Sequence, residues 1–219
     1  MQPIAMQTAA IILAAGSSSR MGEDRHKLLL PLGDRPVVAH VLAAALASQA
    51  RPIVLVLGHR ATEVKQHLEA YLTDPAIILV ENVAYRQGMS TSLRAGLIRL
   101  EQGQPAIDSA IMLLGDQPLL SAAIIDTLIE ARKTTRAAII APQYHGKRGN
   151  PVLFAARLFP ELLQVTGDEG GRQVVLEHRR EVASVELGSE LPNYDVDTWE
   201  AYQQVVALWE EQQRQGRDV

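Results

Sequence analysis

Cysteine is absent from the 219 residues, which excludes disulfides, thiolate metal sites and cysteine nucleophiles, and fits a reducing compartment. Basic blocks are absent too. Lys and Arg are scattered and the formal net charge is −4, so the chain lacks the electrostatic footprint of a DNA or RNA binder. No apolar run approaches the roughly 20 residues that span a bilayer, and the first eight residues lack the basic start of a secretory signal. A cytoplasmic protein with no membrane partner is expected. No internal repeat and no low-complexity linker interrupts the chain. Both classical nucleotide fingerprints are also missing: no glycine loop closes on Lys-Ser/Thr, and no G-x-G-x-x-G spacing with a downstream acid occurs.

What is present is 47% hydrophobic content, enough at this length for one substantial core, so a single domain over residues 1–219 is expected. Apolar runs at 9–13, 53–57, 76–80, 109–114 and 137–141 mostly lack polar alternation, which suits strands buried on both faces. Segments 36–48, 62–71, 89–100 and 121–134 place apolar residues at helical spacing between them. This alternation implies right-handed crossovers and a three-layer α/β/α, Rossmann-like architecture with a mainly parallel sheet. Beyond Pro142, strands are expected at 150–154 and 181–187, helices from Ala155 and from Gly171, and a closing helix over 199–213. Ser121 is expected to cap its helix through its hydroxyl.

Ligands in open α/β sheets gather at the carboxyl ends of strands, and three such ends carry chemistry here. The first is Leu13-Ala14-Ala15-Gly16-Ser17-Ser18-Ser19-Arg20-Met21-Gly22, a small, Gly- and Ser-rich turn whose backbone N–H groups can wrap a phosphate chain. Arg20 and then Lys27 supply cations. The second is Gly115-Asp116-Gln117-Pro118, where Gly115 is expected to admit a ligand to the backbone and Asp116 suits a hard cation such as magnesium. The third is Asp195-Val196-Asp197-Thr198. Its two acids are expected to project to opposite sides of an extended segment, so that only one faces the ligand, with helix capping by Asp197 or Thr198 as the structural alternative.

Together with Lys27–Leu32, Gly88–Gly96, Arg148–Phe154 and Gly167–Arg172, these motifs resemble the MobA-like nucleotidyltransferases, most closely the molybdenum cofactor cytidylyltransferase branch. The resemblance covers nearly the whole chain. It implies a nucleotide site formed by Leu13, Ala14, Ala15, Gly16, Ser17, Ser18, Arg20, Lys27, Gly88, Met89, Ser90, Ser92 and Asp116, with Arg20, Lys27 and Asp116 catalytic. It also implies a magnesium ion held by Asp116 and Asp197, and an acceptor site at Arg148, Gly149, Asn150, Pro151, Gly170 and Arg172 within an acceptor-facing part of about residues 142–195. The hydroxyls of Ser90, Thr91 and Ser92 would reach the base and sugar, or else merely cap the helix that starts there.

The implied reaction transfers CMP from CTP to the phosphate of a molybdopterin-type acceptor and releases pyrophosphate, with a molybdenum hydroxylase or its chaperone as recipient. Ala14-Ala15, in place of the Gly-containing pair of the guanylyl branch, favours CTP. One departure is the insertion of Glu23-Asp24-Arg25-His26 before Lys27, which leaves Arg25 and Lys27 both as candidates for the phosphates; the register of residues 28–32 favours Lys27. His26, alone in a charged loop, is expected to be solvated. Transfer to a sugar phosphate or other small phosphate, an NAD(P)-dependent oxidoreductase and a non-catalytic molybdopterin-binding chaperone are the competing readings. A stripe of Trp199, Tyr202, Val206 and Trp209 is expected to face the core.

Overall fold

The computed structural model describes residues 7–21, 25–103 and 107–215. Gly22, the last residue of the first motif, and Glu23 and Asp24 of the insertion after it lie outside them. The strands are β1 (Thr8–Ala14), β2 (Pro31–Leu32), β3 (Arg35–Pro36), β4 (Ile53–Leu57), β5 (Ile77–Glu81), β6 (Ser109–Leu114), β7 (Ile139–Tyr144), β8 (Lys147–Arg148), β9 (Val152–Ala155) and β10 (Val182–Glu186). The helices are α1 (Val37–Ala47), α2 (Ala61–His67), α3 (Glu69–Leu72), α4 (Met89–Glu101), α5 (Ala122–Thr135), α6 (Phe159–Leu162), α7 (Arg172–Glu177) and α8 (Trp199–Gln215). The main sheet runs β10-β7-β9-β6-β1-β4-β5, with β8 attached to β7.

Strands β6, β1, β4 and β5 are mutually parallel, as the unbroken apolar runs require, and β10 is parallel to β7. Strand β9 runs antiparallel to both of its neighbours, so the sheet is Rossmann-like and mainly, not wholly, parallel. Alternation along β1 sends Ala10, Ile12 and Ala14 to the face covered by α1 and α5, and Ala9 and Ile11 to the face covered by α4. Leu93 and Leu97 of α4 are fully buried on that second face, each contributing roughly 1.5–3 kcal/mol. Gly96 lets α4 press onto β1, because a Cβ there would sit 2.6 Å from Ile11 Cγ2.

Three local expectations give way to tertiary context. Residues 76–80 read as a strand buried on both faces, but β5 is the sheet edge and only partly buried, since nothing pairs with its outer side. The Ser121 hydroxyl makes no capping bond, although the residue does occupy the N-cap. From Ala155 the chain makes a short 3₁₀ turn and the four-residue α6 instead of a full helix. Helix α8 packs Tyr202 and Val205 on Met21, Leu32, Leu119 and Val196 as a separate small core, with Val206 and Trp209 at its margin. Trp199, expected to face inward, is 37% exposed.

Candidate active site

From β1 the chain steps outward to β4 and β5, then returns to β6 on the other side of β1. That reversal opens a crevice at the carboxyl ends of β1 and β6. A cavity of about 460 Å³ occupies it. Leu13, Ala14, Ala15, Gly16, Ser17 and Ser18 form one wall, and Gly88, Met89 and Ser92 at the start of α4 form another. Arg20, Lys27 and Asp116 also reach it. Gly115 plays a different part from the one expected. A Cβ there would meet Ala14 Cβ at 3.0 Å and Leu13 O at 3.1 Å, so the glycine permits close contact with the end of β1.

Asp116 follows β6, and the segment before α8 is tied to it by the Val196 N–H donating to the Asp116 carbonyl at 2.9 Å. Val196 points into the small core beside α8. Residues two apart in an extended segment share a face, so Asp195 and Asp197 both turn to the cavity. The expectation that only one acid would face it is therefore corrected. Asp195 accepts from Gln117 Nε2 at 2.5 Å, and burial beside the Asp116 carboxylate pushes its pKa up to about 6. Capping of α8 falls to Thr198, whose hydroxyl accepts from the Ala201 N–H at 3.1 Å.

Lys27 Nζ donates to Asp116 Oδ2 and, at 2.7 Å, to Asp197 Oδ1. Burial draws the ammonium pKa down, but the two carboxylates outweigh it and hold the group above its ordinary value. Asp197 is in turn held below the usual carboxylate range: its partial burial acts upward and the Lys27 bond prevails. Arg20 Nη1 completes the network, donating to Asp197 Oδ2 at 2.9 Å. Arg25 lies 4.3 Å from the centre of the Trp199 ring, stacked as a cation on its face. Of the two candidate cations, Lys27 is the one directed to the site.

The motifs beginning at Gly88 and Gly167 meet across the cavity. Met89 N–H donates to Asp168 Oδ1 at 3.1 Å and Ser90 N–H to the Gly167 carbonyl at 3.0 Å, so the 167–168 turn caps α4. Ser90 is buried and does not line the cavity, contrary to its expected contact with the nucleotide. The hydroxyls of Thr91 and Ser92 accept from Asn82 Nδ2 at 2.8 and 2.9 Å, which holds α4 against the end of β5, while Ser92 also lines the cavity.

A second cavity, about 480 Å³, shares Leu13, Met89 and Leu114 with the first. Leu93, Met112, Val152 and Phe154 line its apolar side, while Arg148, Gly149, Asn150, Gly170 and Arg172 line the rest together with Glu169. Pro151 is buried and does not line it. The Asn150 carbonyl accepts from the Tyr144 hydroxyl at 2.7 Å and its N–H donates to Asn193 Oδ1 at 3.3 Å, which fixes the 148–150 turn at the rim.

Residues 10–182 match the model of the MobA-like NTP transferase domain. The chain belongs to this family. It is 33% identical over 130 residues to the bifunctional protein GlmU of Cupriavidus pinatubonensis, covering 59% of this chain and 27% of that protein. The chain thus spans about a quarter of the length of that curated relative. Among solved structures, the rv0371c homolog from Mycobacterium sp. strain JC1 is similar, with a TM-score of 0.78 and 29% identity, covering 93% of this chain and 97% of that one. Rv0371c from Mycobacterium tuberculosis H37Rv in complex with manganese gives a TM-score of 0.72 at 28% identity, covering 92% and 98%.

As a MobA-like domain, the chain can be tested for its fit to a divalent cation. Two carboxylates, from Asp116 and Asp197, converge on a single positive atom, Lys27 Nζ. A hard cation takes one or two protein carboxylates and completes its octahedron with substrate phosphates and water, so this donor set fits. The sequence reading missed Tyr85, Arg86, Asp168 and Asp195 as cavity residues. Tyr85 and Arg86 stand just beyond the end of β5, where the same search of strand ends would have found them. It also misjudged His26, which is buried, because the ring that covers it belongs to His59, 33 positions away.

No helix among the described residues is long and apolar enough to cross a membrane.

Proposed function

We propose that this protein transfers a nucleoside monophosphate from a nucleoside triphosphate to a phosphate-bearing acceptor, releasing pyrophosphate. The observation that carries the reading is the pair of adjoining cavities, one walled by the turn of residues 15–18 and the other by Arg148 and Arg172, with Asp116 and Lys27 reaching the first. An acceptor phosphate oxygen attacks the α-phosphorus; a new P–O bond forms as the bond to the bridging oxygen of pyrophosphate breaks. The acceptor is already ionised near neutral pH, so no general base is needed.

The backbone N–H groups of the 15–18 turn and Arg20 bind and orient the triphosphate, and Lys27 places positive charge beside it. Asp116 and Asp197 would hold magnesium, which when bound neutralises phosphate charge as a Lewis acid. The manganese complex of Rv0371c, a protein of similar fold and 28% identity, supports a divalent cation of this class. Tyr85, Arg86 and the start of α4 border the part of the cavity available to base and sugar.

For the acceptor we propose a molybdopterin-type phosphate and for the donor CTP. The second cavity offers a ring-bearing molecule an apolar side at Met112, Val152 and Phe154 and two guanidinium groups for its phosphate. Residues 142–195 are the acceptor-facing part in this reading, and a molybdenum hydroxylase or its chaperone would receive the product. The donor assignment rests on Ala14-Ala15. Purified protein with magnesium, each of the four nucleoside triphosphates in turn and molybdenum-loaded molybdopterin should release pyrophosphate with CTP. Release only with a sugar phosphate as acceptor would reassign the second cavity, and no release with any acceptor would refute transfer.

A further inference from the structure

Behind the 15–18 turn stands a column of rings that the proposed transfer does not use. His26 is 4% exposed and lies flat on His59, with ring centroids 5.4 Å apart and planes 7° apart; His59 in turn tilts onto Tyr85 at 5.8 Å. His26 Nε2 donates to the His59 carbonyl at 3.1 Å, which assigns the proton to Nε2 and leaves Nδ1 buried without a partner. The Tyr85 hydroxyl accepts from Arg86 Nε and is hydrogen-bonded to His59 Nδ1, both at 3.3 Å. The column thus runs from His26 through His59 to Tyr85.

Its middle member touches the turn. His59 N–H donates to the Ala15 carbonyl at 3.1 Å, and Gly58 is so close that a Cβ would lie 2.7 Å from Ala15 Cβ and 2.8 Å from both Ala15 O and Tyr85 Cβ. The far end of the turn is pinned next to His26, where Lys27 N–H donates to Ser18 Oγ at 3.0 Å. Ser18 itself sits at φ 56°, a left-handed conformation that a serine keeps only when its surroundings impose it.

We infer that His26, acting through His59, is a positioning residue for the phosphates of the nucleotide: it holds the 15–18 turn in its binding conformation before ligand arrives. Backbone amides bind an anion well only if their directions are already set, because ordering them on binding subtracts from affinity. The inference rests on the reading of the first cavity as a triphosphate site.

The test is a titration of wild type, His26→Phe and His26→Gln with magnesium and each of the four nucleoside triphosphates, and with magnesium pyrophosphate. His26→Phe keeps the stack and loses the donor. It should weaken triphosphate and pyrophosphate binding by roughly tenfold, while His26→Gln, which keeps a donor for the His59 carbonyl, should recover to within about threefold. Thermal melts identify folded variants, and if His26→Phe does not fold, His26→Leu, which also lacks a donor for the His59 carbonyl, should show the same loss. Unchanged binding in a folded His26→Phe, with wild type binding normally, overturns the inference and leaves the proposed function standing. Failure of wild type to bind any triphosphate overturns both.

Discussion

The two cavities share Leu13, Met89 and Leu114 but are electrostatic opposites in how their charges are satisfied. In the first, Lys27, Asp116, Asp197 and Arg20 already neutralise one another. In the second, Arg148 and Arg172 line an otherwise largely apolar space and make no ion pair among the described residues. Mutual pairing offsets the desolvation of the charges in the first network and fixes them in place for a polyanion, whereas a solvated guanidinium at a rim is available to any anion that fits the space behind it. In the proposed reading the first cavity would carry the phosphate chemistry and the second would select the acceptor.

The largest effect that could break this contrast is expected at Asp116. Asp116→Ala should leave a folded protein whose pyrophosphate release falls below about one-thousandth of wild type, through loss of charge organisation at the reacting phosphorus. Retained turnover would remove the carboxylate from the chemistry. Arg20→Ala comes next, with a loss of roughly 10²-fold in rate if the guanidinium meets charge developing in the transition state. An unchanged rate would make it a surface partner of Asp197 only.

On the acceptor side, Arg172→Ala and Arg148→Ala should each raise the KM for the acceptor by about tenfold or more and leave the KM for the triphosphate unmoved. If both constants moved together, the separation of the cavities would be wrong. Gly96→Ala reaches both, because α4 walls each of them. The new Cβ would sit 2.6 Å from Ile11 Cγ2, and the variant should lose about 1–3 kcal/mol in urea denaturation despite alanine's better helix propensity.

The smallest effect is a pH dependence of stability set by His26, behind the turn that walls the first cavity. Burial lowers the pKa of His26 below 6.5, and its surroundings include His59 and Arg60, which lower it, and Glu63 and the His59 carbonyl, which raise it. The unfolded chain therefore takes up this proton first. Stability from His26 is complete above about 6.5 and is lost as the pH falls through 6.5 towards the folded value. Denaturation midpoints at pH 8 and pH 5 should differ less in His26→Phe than in wild type.

Much of the frame was legible because strand identity is a local property. Unbroken apolar runs marked β1, β4, β6 and β7, and the Gly- and Ser-rich turn after β1 stood out by composition alone. Edge position was not legible at β5, because a strand's neighbours are chosen elsewhere in the chain. The fate of the hydroxyls at Ser90, Thr91 and Ser92 was hidden for the same reason: their partners or covers come from Asn82 and the 167–168 turn. Asp195 was misjudged by a geometric assumption that the buried Val196 between the two acids corrects.

By itself the sequence determined which residues could carry charge to a phosphate and which strands would deliver them, since both follow from side-chain chemistry and from the alternation of apolar and polar positions. Only the tertiary structure decided that Asp116 and Asp197 meet on Lys27, that Arg25 goes to Trp199, and that His26 is buried behind the turn. Each of these pairs elements distant in the chain, and the energy that selects them, burial and Coulomb attraction at short range, exists only once the sheet has brought those elements together.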